Sequence, residues 1–564
     1  MYNIEVDTSA PGEVFKYQLF SLTNVEPERQ KILVKGGQLK DDTDMSKLNL
    51  RPGQSLMMVG KPSGAAGADL IRPTEKIKFV EDMTEAEAAQ QEGAIPAGLT
   101  NLGNTCYLNS TLQTMRSIPE LQDALANYKG SSSDNSAGAS FDINQFTTML
   151  SGGLAASGDL VADLQKLFGK MSRTQGSVEP TAFLGTLRKV FPQFAERSRS
   201  ANVYAQQDAE EAWSQILGTV RQKVKIPDGS EGSAVSFVDR YMSGKFVTET
   251  KCDEEGGEDP VTVTEAFQKL DCHIGSTTNH LRDGIAEGMT ETLEKKSEKL
   301  DKETTFTKAV KISRLPKYLT VHFVRFFWKR ESQKKAKILR KVTFPRELDL
   351  VEFCTDELKD MLVPVRDKVR EIRKDEEDIE RARKRRKKSH DPSDIPGGSG
   401  GAANKEEKNA ETKEKTKEVK GKKSADGDTE MTETYKTDAE VDAERDAALL
   451  SAKKELHALI NQDLLKDDGA NHSGLYELRG VVTHQGASAD SGHYTAYVKK
   501  TAPVDPKTGK HEEEDGKWWW FNDDRVSEVP ADKIDTLSGG GETHSALILL
   551  YKAIPLPSAE GIME

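Results

Sequence analysis

Residues 98–113 read GLTNLGNTCYLNSTLQ, and the reading of the fold starts there. Gly103 and Asn104 form a turn signal. From Thr105 onward Leu108, Leu112 and Met115 recur at helical spacing, which predicts a helix starting at or next to Cys106. A thiol at a helix N-terminus meets unpaired N–H groups and the positive end of the macrodipole. Both favour the thiolate, the form that acts as a nucleophile. Asn101, five residues earlier, lies where its amide can fold back beside the sulfur and donate to a developing oxyanion. A buried structural cysteine capped by Thr105 would give the same string.

A second string bears on that choice. Residues 478–498 read LRGVVTHQGASADSGHYTAYV, two alternating strands around a Gly- and Ser-rich loop. His493 opens the second strand and can reach Cys106 only through folding. A third strand follows in WWWFNDDRVSEV (518–529) and ends in Asn522 and Asp523. A side-chain oxygen there can accept the His493 Nδ1–H and hold the ring in the tautomer that takes the thiol proton. His484 is the rival base; it precedes the loop and has no evident acceptor.

Outward from these strings, the chain of 564 residues is long enough for two to four domains. Only 35% is hydrophobic and 31% is charged, below the ~45–50% apolar content of ordinary globular proteins, so part of it lies outside any core. A net charge of −13 argues against a general nucleic-acid binder, whose partner demands a basic surface. No run of 18 apolar residues occurs, and MYNIEVDTSAPGEVFKYQLF has no secretory pattern. Neither a membrane nor nucleic acid is therefore expected as a partner. The four cysteines (Cys106, Cys252, Cys272, Cys354) include no C-x-x-C pair. No metal or other cofactor is expected, and the setting is a reducing one, cytoplasmic or nuclear.

The fold class expected is α+β, in two domains. Residues 1–60 give YNIEV (2–6) as a strand, VFKYQLFSLTNV (14–25) as a helix, and RQKILVKGGQL (29–39) and QSLMMVG (54–60) as further strands. That order, with KGGQLKDD after the middle strand, resembles a β-grasp ubiquitin-like domain. The resemblance implies one more strand before YNIEV, which this sequence does not supply. It also places Leu33, Met57 and Val59 on ubiquitin's apolar recognition face; strand alternation could equally turn them into the core. Residues 61–94 read as a linker with a short acidic helix around TEAEAAQQ. Residues 95–555 form the large domain, interrupted at about 366–440, where 41 of 75 residues are charged and Leu, Phe and Trp are absent. The start of that insertion is expected as an exposed charged helix, the rest as disordered.

Together the strings resemble the ubiquitin-specific protease family of cysteine deubiquitinases. The motifs are GLTNLGNTCYLN, QQDAEE (206–211), GHYTAYV and WWWFNDD, and they span nearly all of the large domain. The resemblance implies a papain-like thumb–palm–fingers architecture and hydrolysis of the bond after ubiquitin's C-terminal Gly. Carried over, Cys106 is the nucleophile, His493 the base and acid, Asn522 the orienting residue and Asn101 the oxyanion donor. Asp523 is assigned a share of the Asn522 role. Gln206, Asp208, Glu211, Gly492 and Tyr494 are assigned to ubiquitin's extended, arginine-bearing tail, although acidic residues before AWSQIL could simply complement a helix N-terminus. Family members commonly bind zinc through two C-x-x-C pairs; Cys252 and Cys272 stand singly here, so the fingers must rely on strand pairing.

The ubiquitin-like domain with a zinc-less catalytic domain is similar to the branch that docks on the regulatory particle of the 26S proteasome. VKGGQLKDD, VRFFWKRESQKKAKILRKVTFP (324–345) and LSGGGETHSALILLYK (537–552) carry that likeness. It makes Leu33, Met57 and Val59 docking residues. It also makes Phe327 and Trp328, with Gln485, Ser488 and Ser491, parts of two loops that cover the cleft, unless FFWKR is an ordinary strand end. The partners implied are ubiquitin, ubiquitin chains and the proteasome. A free-acting family member and a catalytically idle ubiquitin-binding scaffold are the alternatives. RARKRRKK (381–388) reads either as a nuclear import signal or as a solvated run of charge.

Overall fold

A computed structural model describes residues 12–60 and 83–557, except for 49–55, 90–93, 131–157, 199–202, 229–232, 330–333, 390–437, 489–490, 502–514 and a few isolated positions. Contacts divide the chain into two units, Met1–Met83 and Thr84–Glu564.

In the first unit, helix α1 (Gly12–Thr23) turns Phe15 and Leu19, four residues apart, toward Ile32, Leu39 and Met45. Strand β1 (Lys31–Val34) lies between β2 (Gly37–Gln38) and β3 (Met57–Val59), both antiparallel to it. Alternation buries Ile32 and exposes its neighbour Leu33. The strand expected at 2–6 lies outside the described residues.

The second unit opens with α2 (Glu85–Ala89), the acidic helix expected in the linker. Thr84 and Glu87 cap it reciprocally, and Gln175 Nε2 donates to the Ala88 carbonyl at 3.0 Å. The linker's acidic helix is therefore held by this unit. Helices α3 (Cys106–Arg116), α4 (Pro119–Ala126), α5 (Leu160–Met171), α6 (Thr181–Val190) and α7 (Ala209–Lys223) share one core, built on Leu108, Leu112, Phe183, Trp213 and Ile216.

A ten-stranded sheet faces this layer. Its main path runs β18 (Arg525–Val529), β17 (Trp518–Asn522), β16 (Ser491–Lys499), β15 (Leu475–Ser488), β19 (Ser545–Ala553), β11 (Tyr318–Phe323) and β8 (Leu270–Cys272). Only the β11–β8 pair is parallel on that path. The other three strands, β12 (Phe326–Lys329), β13 (Lys334–Lys337) and β14 (Glu347–Asp349), join through β15. Strands β4 (Lys225–Pro227) and β5 (Ala234–Ser236) form a two-stranded sheet of their own. Residues Cys106–Met115 of α3 are all buried, because the helix is sandwiched between α7 and the sheet. Gly480 on β15 permits this approach, since a Cβ there would lie 2.7 Å from the Thr114 methyl group.

A separate four-stranded antiparallel sheet runs β7 (Val261–Phe267), β6 (Gly244–Cys252), β10 (Glu303–Arg314) and β9 (Thr290–Lys296). Strand pairing and a Phe246–Phe267 stack at 4.0 Å hold it. Cys252 lies in this sheet and Cys272 in the other. Among the described residues no His, Cys, Asp and Glu cluster is placed to hold a metal.

One expectation is corrected. Residues 356–389 form a single long helix (Asp356–Ser389), so the supposed insertion begins as a continuation of the fold. Its first turns are not exposed: Val365, Val369 and Ile372 are fully buried against Leu456, Ile460 and Leu475, through a returning helix, Asp438–Leu459. Three apolar residues at i, i+4 and i+7 suffice to dock a helix even where charge dominates the composition. The stretch expected to be disordered lies outside the described residues from 390 to 437.

Candidate active site

Cys106 is the first residue of α3, with Thr105 at the N-cap making no side-chain cap. The side chain of Asn101 replaces it: Asn101 Oδ1 accepts from the backbone N–H of Gly103 (2.9 Å) and of Thr105 (3.2 Å) and from the Thr105 hydroxyl (3.2 Å). This Asx-type cap fixes the turn that presents the thiol. Backbone N–H groups of Cys106, Tyr107 and Tyr494 point at the sulfur. The Tyr494 contact brings the histidine strand β16 onto the cysteine helix.

The expected depression of the thiol pKa is not found. Burial pushes Cys106 up to about 11, the nearby Asp523 charge adds to this, and the three N–H groups only partly offset it. A rise from 9.0 to about 11 corresponds to roughly 3 kcal/mol, against about 0.3–1 kcal/mol for a helix terminus, so desolvation wins. The resting thiol is protonated. It needs a base.

His493 Nε2 lies 2.6 Å from Asn522 Oδ1. The strand register explains the pairing. Ala496 pairs with Phe521, so one further step sets Asn522 opposite Thr495 and diagonal to His493 on the same face. The nitrogen at the far end of the ring makes this contact, not the expected Nδ1. An amide oxygen only accepts, so Nε2 carries the proton and Nδ1 keeps the lone pair.

Asp523 does not share the role of Asn522, contrary to the expectation. At φ 53° the backbone turns, and its carboxylate points toward the cysteine helix. Oδ2 accepts from Asn101 Nδ2 (2.9 Å), Oδ1 from Asn109 Nδ2 (2.8 Å), and the Asp523 carbonyl accepts from Leu99 N–H (2.9 Å). Asp523 thus clamps the oxyanion candidate to α3. Asn109 is a residue the sequence reading passed over; it stood three residues after Cys106 in the same string.

The other expected residues are placed as follows. His484 is fully buried between the rings of Phe326 and Tyr494. Burial, aided by Lys337, His544 and His493, pushes it down to about 3, which leaves it unfit as a base. The Tyr494 side chain is buried on the His484 ring, so this residue meets the site through its backbone. Asp208 caps α7 through the Glu210 N–H at 2.9 Å. Among the described residues the buried amide nitrogen of Gln206 meets no acceptor. Gln485, Gly486, Gly492, His493, Glu542 and Thr543 line one cleft. Gly492 sits at φ 139°, and a Cβ there would lie 2.2 Å from the Gln485 carbonyl.

The two segments expected to cover the cleft are hairpins, not loops. Phe326–Lys329 (β12) pairs with Lys334–Lys337 (β13), and Ser488 pairs with both Ser491 and Ala336, joining the two hairpins edge to edge. Lys337 Nζ donates to the His484 carbonyl at 2.6 Å. Phe327 is exposed; the Trp328 side chain lies outside the described residues. In the first unit Leu33 and Met57 pair directly and, with Val59, stand more than half exposed, so they are surface and not core.

Comparison with known proteins completes the picture. Residues 97–551 match the ubiquitin carboxyl-terminal hydrolase family, and residues 1–63 match the ubiquitin family. The chain is 40% identical over 553 residues to ubiquitin carboxyl-terminal hydrolase 6 of Schizosaccharomyces pombe, covering 98% of this chain and 96% of that one. It is 37% identical to ubiquitin carboxyl-terminal hydrolase 6 of Arabidopsis thaliana over the same shares. Against ubiquitin carboxyl-terminal hydrolase 14 of Caenorhabditis elegans the identity is 31%, covering 98% and 91%.

Proposed function

The chain belongs to the ubiquitin carboxyl-terminal hydrolase family and is a cysteine-type deubiquitinating peptidase with a ubiquitin-like domain; from that premise we propose that it acts on conjugates at the proteasome, docking there through the ubiquitin-like domain. The observation that carries the chemistry is Cys106 at the start of α3, against the backbone of the strand that holds the His493–Asn522 pair.

His493 Nδ1 takes the thiol proton as the sulfur attacks the carbonyl of ubiquitin's last Gly. The oxyanion meets the N–H groups at the start of α3 and the second amide hydrogen of Asn101. The imidazolium then protonates the leaving amine, and water hydrolyses the thioester. Asp208 and Glu211 supply carboxylates to the arginine-bearing tail, and the Gln206 amide has an unused donor for a tail carbonyl.

Docking is supported by the exposed Leu33–Met57–Val59 patch. The joined hairpins beside the His493 cleft support a covered resting state. If about 1% of molecules are open, apparent affinity falls roughly a hundredfold, and a partner that favours the open form restores it. The same reading puts the protein with proteasomes in the cytoplasm, and in the nucleus too where Arg381–Lys388 serves as an import signal and not only as a solvated run of charge.

Hydrolysis of a ubiquitin amide is measured with and without purified proteasomes. Cys106→Ala should abolish turnover while ubiquitin binding persists. Proteasomes should stimulate the whole chain strongly, and a Leu33→Asp, Val59→Asp variant much less. Equal stimulation would remove the docking role. A fast free enzyme that proteasomes leave unchanged would favour the free-acting alternative.

A further inference from the structure

Lys269 occupies the corner at which three parts of the catalytic unit meet. Strand β7 of the four-stranded sheet ends at Phe267 and β8 of the ten-stranded sheet begins at Leu270, so Gln268 and Lys269 are the whole connection. From this corner Lys269 Nζ reaches Glu210 Oε1 in the first turn of α7 at 2.5 Å and Asp271 Oδ1 on β8 at 3.6 Å. Each carboxylate has a second partner. The Ser214 hydroxyl, one helical turn on, donates to the same Glu210 oxygen at 2.7 Å. His322, register partner of Asp271 on β11, lies 2.9 Å from Asp271 Oδ1 through its Nδ1. The first turn of α7 also touches the cysteine helix, where the Thr111 hydroxyl donates to the Ala209 carbonyl at 3.3 Å.

The groups are charged together. Burial alone would push both carboxyls up, yet the Lys269 and Ser214 hydrogen bonds hold Glu210 below its ordinary range. His322 and Lys269 do the same for Asp271. Lys269 is held above its ordinary value by the two acids, although burial works the other way. A single ammonium therefore sits between two carboxylates on different layers. Removing it would leave the Glu210 carboxylate without its cation and cut the one tie that Lys269 makes between the α7 turn and the sheet, while the Thr111–Ala209 bond to the cysteine helix remains. That turn carries Asp208 at its N-cap and Glu211 at its third position.

We propose that Lys269 is a positioning residue for substrate: through Glu210 it sets where Asp208 and Glu211 stand relative to the sheet that carries His493, and so governs capture of a basic, extended peptide tail. The inference rests on the reading of Asp208 and Glu211 as tail contacts. Lys269 touches neither the thiol nor the imidazole, so its loss raises KM and spares kcat.

The experiment uses the whole chain and a ubiquitin bearing a C-terminal fluorogenic amide, with a second version whose tail arginines are changed to leucine. Lys269→Met should raise KM for the first substrate about 5–10-fold, with kcat within about twofold. Lys269→Arg should recover most of the loss. Adding Glu210→Gln to Lys269→Met should also recover part of it, by removing the carboxylate left without its cation. On the arginine-less substrate, Lys269→Met should change KM less than twofold. Circular dichroism and melting temperature identify a variant that fails to fold, and Lys269→Arg then carries the test through its KM on the two substrates. An equal fall in kcat, or an equal KM penalty on both substrates, would overturn the proposal. A wild-type enzyme indifferent to the tail arginines would overturn the tail-contact reading first, and this inference with it.

Discussion

At Asn522 and Asp523, adjacent residues of like size do different work. Their side chains leave the end of β17 in different directions, because Asp523 adopts φ 53°. Asn522 meets the imidazole, whereas Asp523 joins Asn101 to Asn109. Asp523→Ala should therefore lower kcat by about 10–100-fold, approaching the loss of an oxyanion donor, because Asn101 loses its anchor. The acid limb of the pH–rate profile should stay in place, since the histidine pair is untouched. Asn522→Ala should retain measurable activity and move that limb. The comparison fails if Asp523→Ala shifts the limb or costs less than Asn522→Ala. Motif reading could not separate the two. It supplies the residue types, and the backbone dihedral decides which way each one points.

The element that departs most from its composition is the helix Asp356–Ser389. Its run of charge suggests a solvated arm, yet Val365, Val369 and Ile372 lock its early turns onto the returning helix. The ion pairs along it, such as Lys368 with Glu455 and Lys453 with Glu376, lie at exposed edges and are worth at most about 1 kcal/mol each. Ile372→Ala, by contrast, should destabilise the catalytic unit by about 2–4 kcal/mol through lost burial and the cavity left behind. Urea unfolding followed by tryptophan fluorescence measures this. A loss under about 0.5 kcal/mol would show the helix pair to be loosely attached. For α3 composition and structure agree, since its Ser, Thr, Asn and Gln side chains are buried with backbone partners.

Across the whole molecule, a buried histidine, His484, and a half-buried one, His544, shape stability against acid. His484 is pushed down to about 3 and His544 to about 4, chiefly by burial. Unfolded, both titrate near the ordinary value of 6.5. Above that pH they are neutral in both states and the full stability is present. As pH falls below it, the unfolded chain binds protons that the folded one refuses. Stability then drops by about 1.4 kcal/mol per pH unit for each histidine, down to the folded values. His484→Leu should remove about half of this slope between pH 6.5 and 4.5, read from denaturant midpoints at fixed pH. An unchanged slope would mean that other groups govern the acid limb. In the sequence His484 reads only as a rival base; in the structure it packs between Phe326 and Tyr494 beside the site.

The sequence alone determined the chemistry and most of the architecture, because both are written in local strings. Helical spacing after Thr105 placed Cys106 at a helix start, alternation around His493 and Asn522 gave the strands, and β1 in the first unit alternates as expected. The family matches agree with the two domains those strings implied. Tertiary structure decided what depends on distance and dielectric. It put Nε2 of His493 on Asn522, turned Asp523 to the cysteine helix, and joined two supposed loops through Ala336 and Ser488. It also raised the thiol pKa where a helix start alone would lower it. Burial is set by residues far apart in the chain, and desolvation over the whole shell outweighs the dipole of a single helix end.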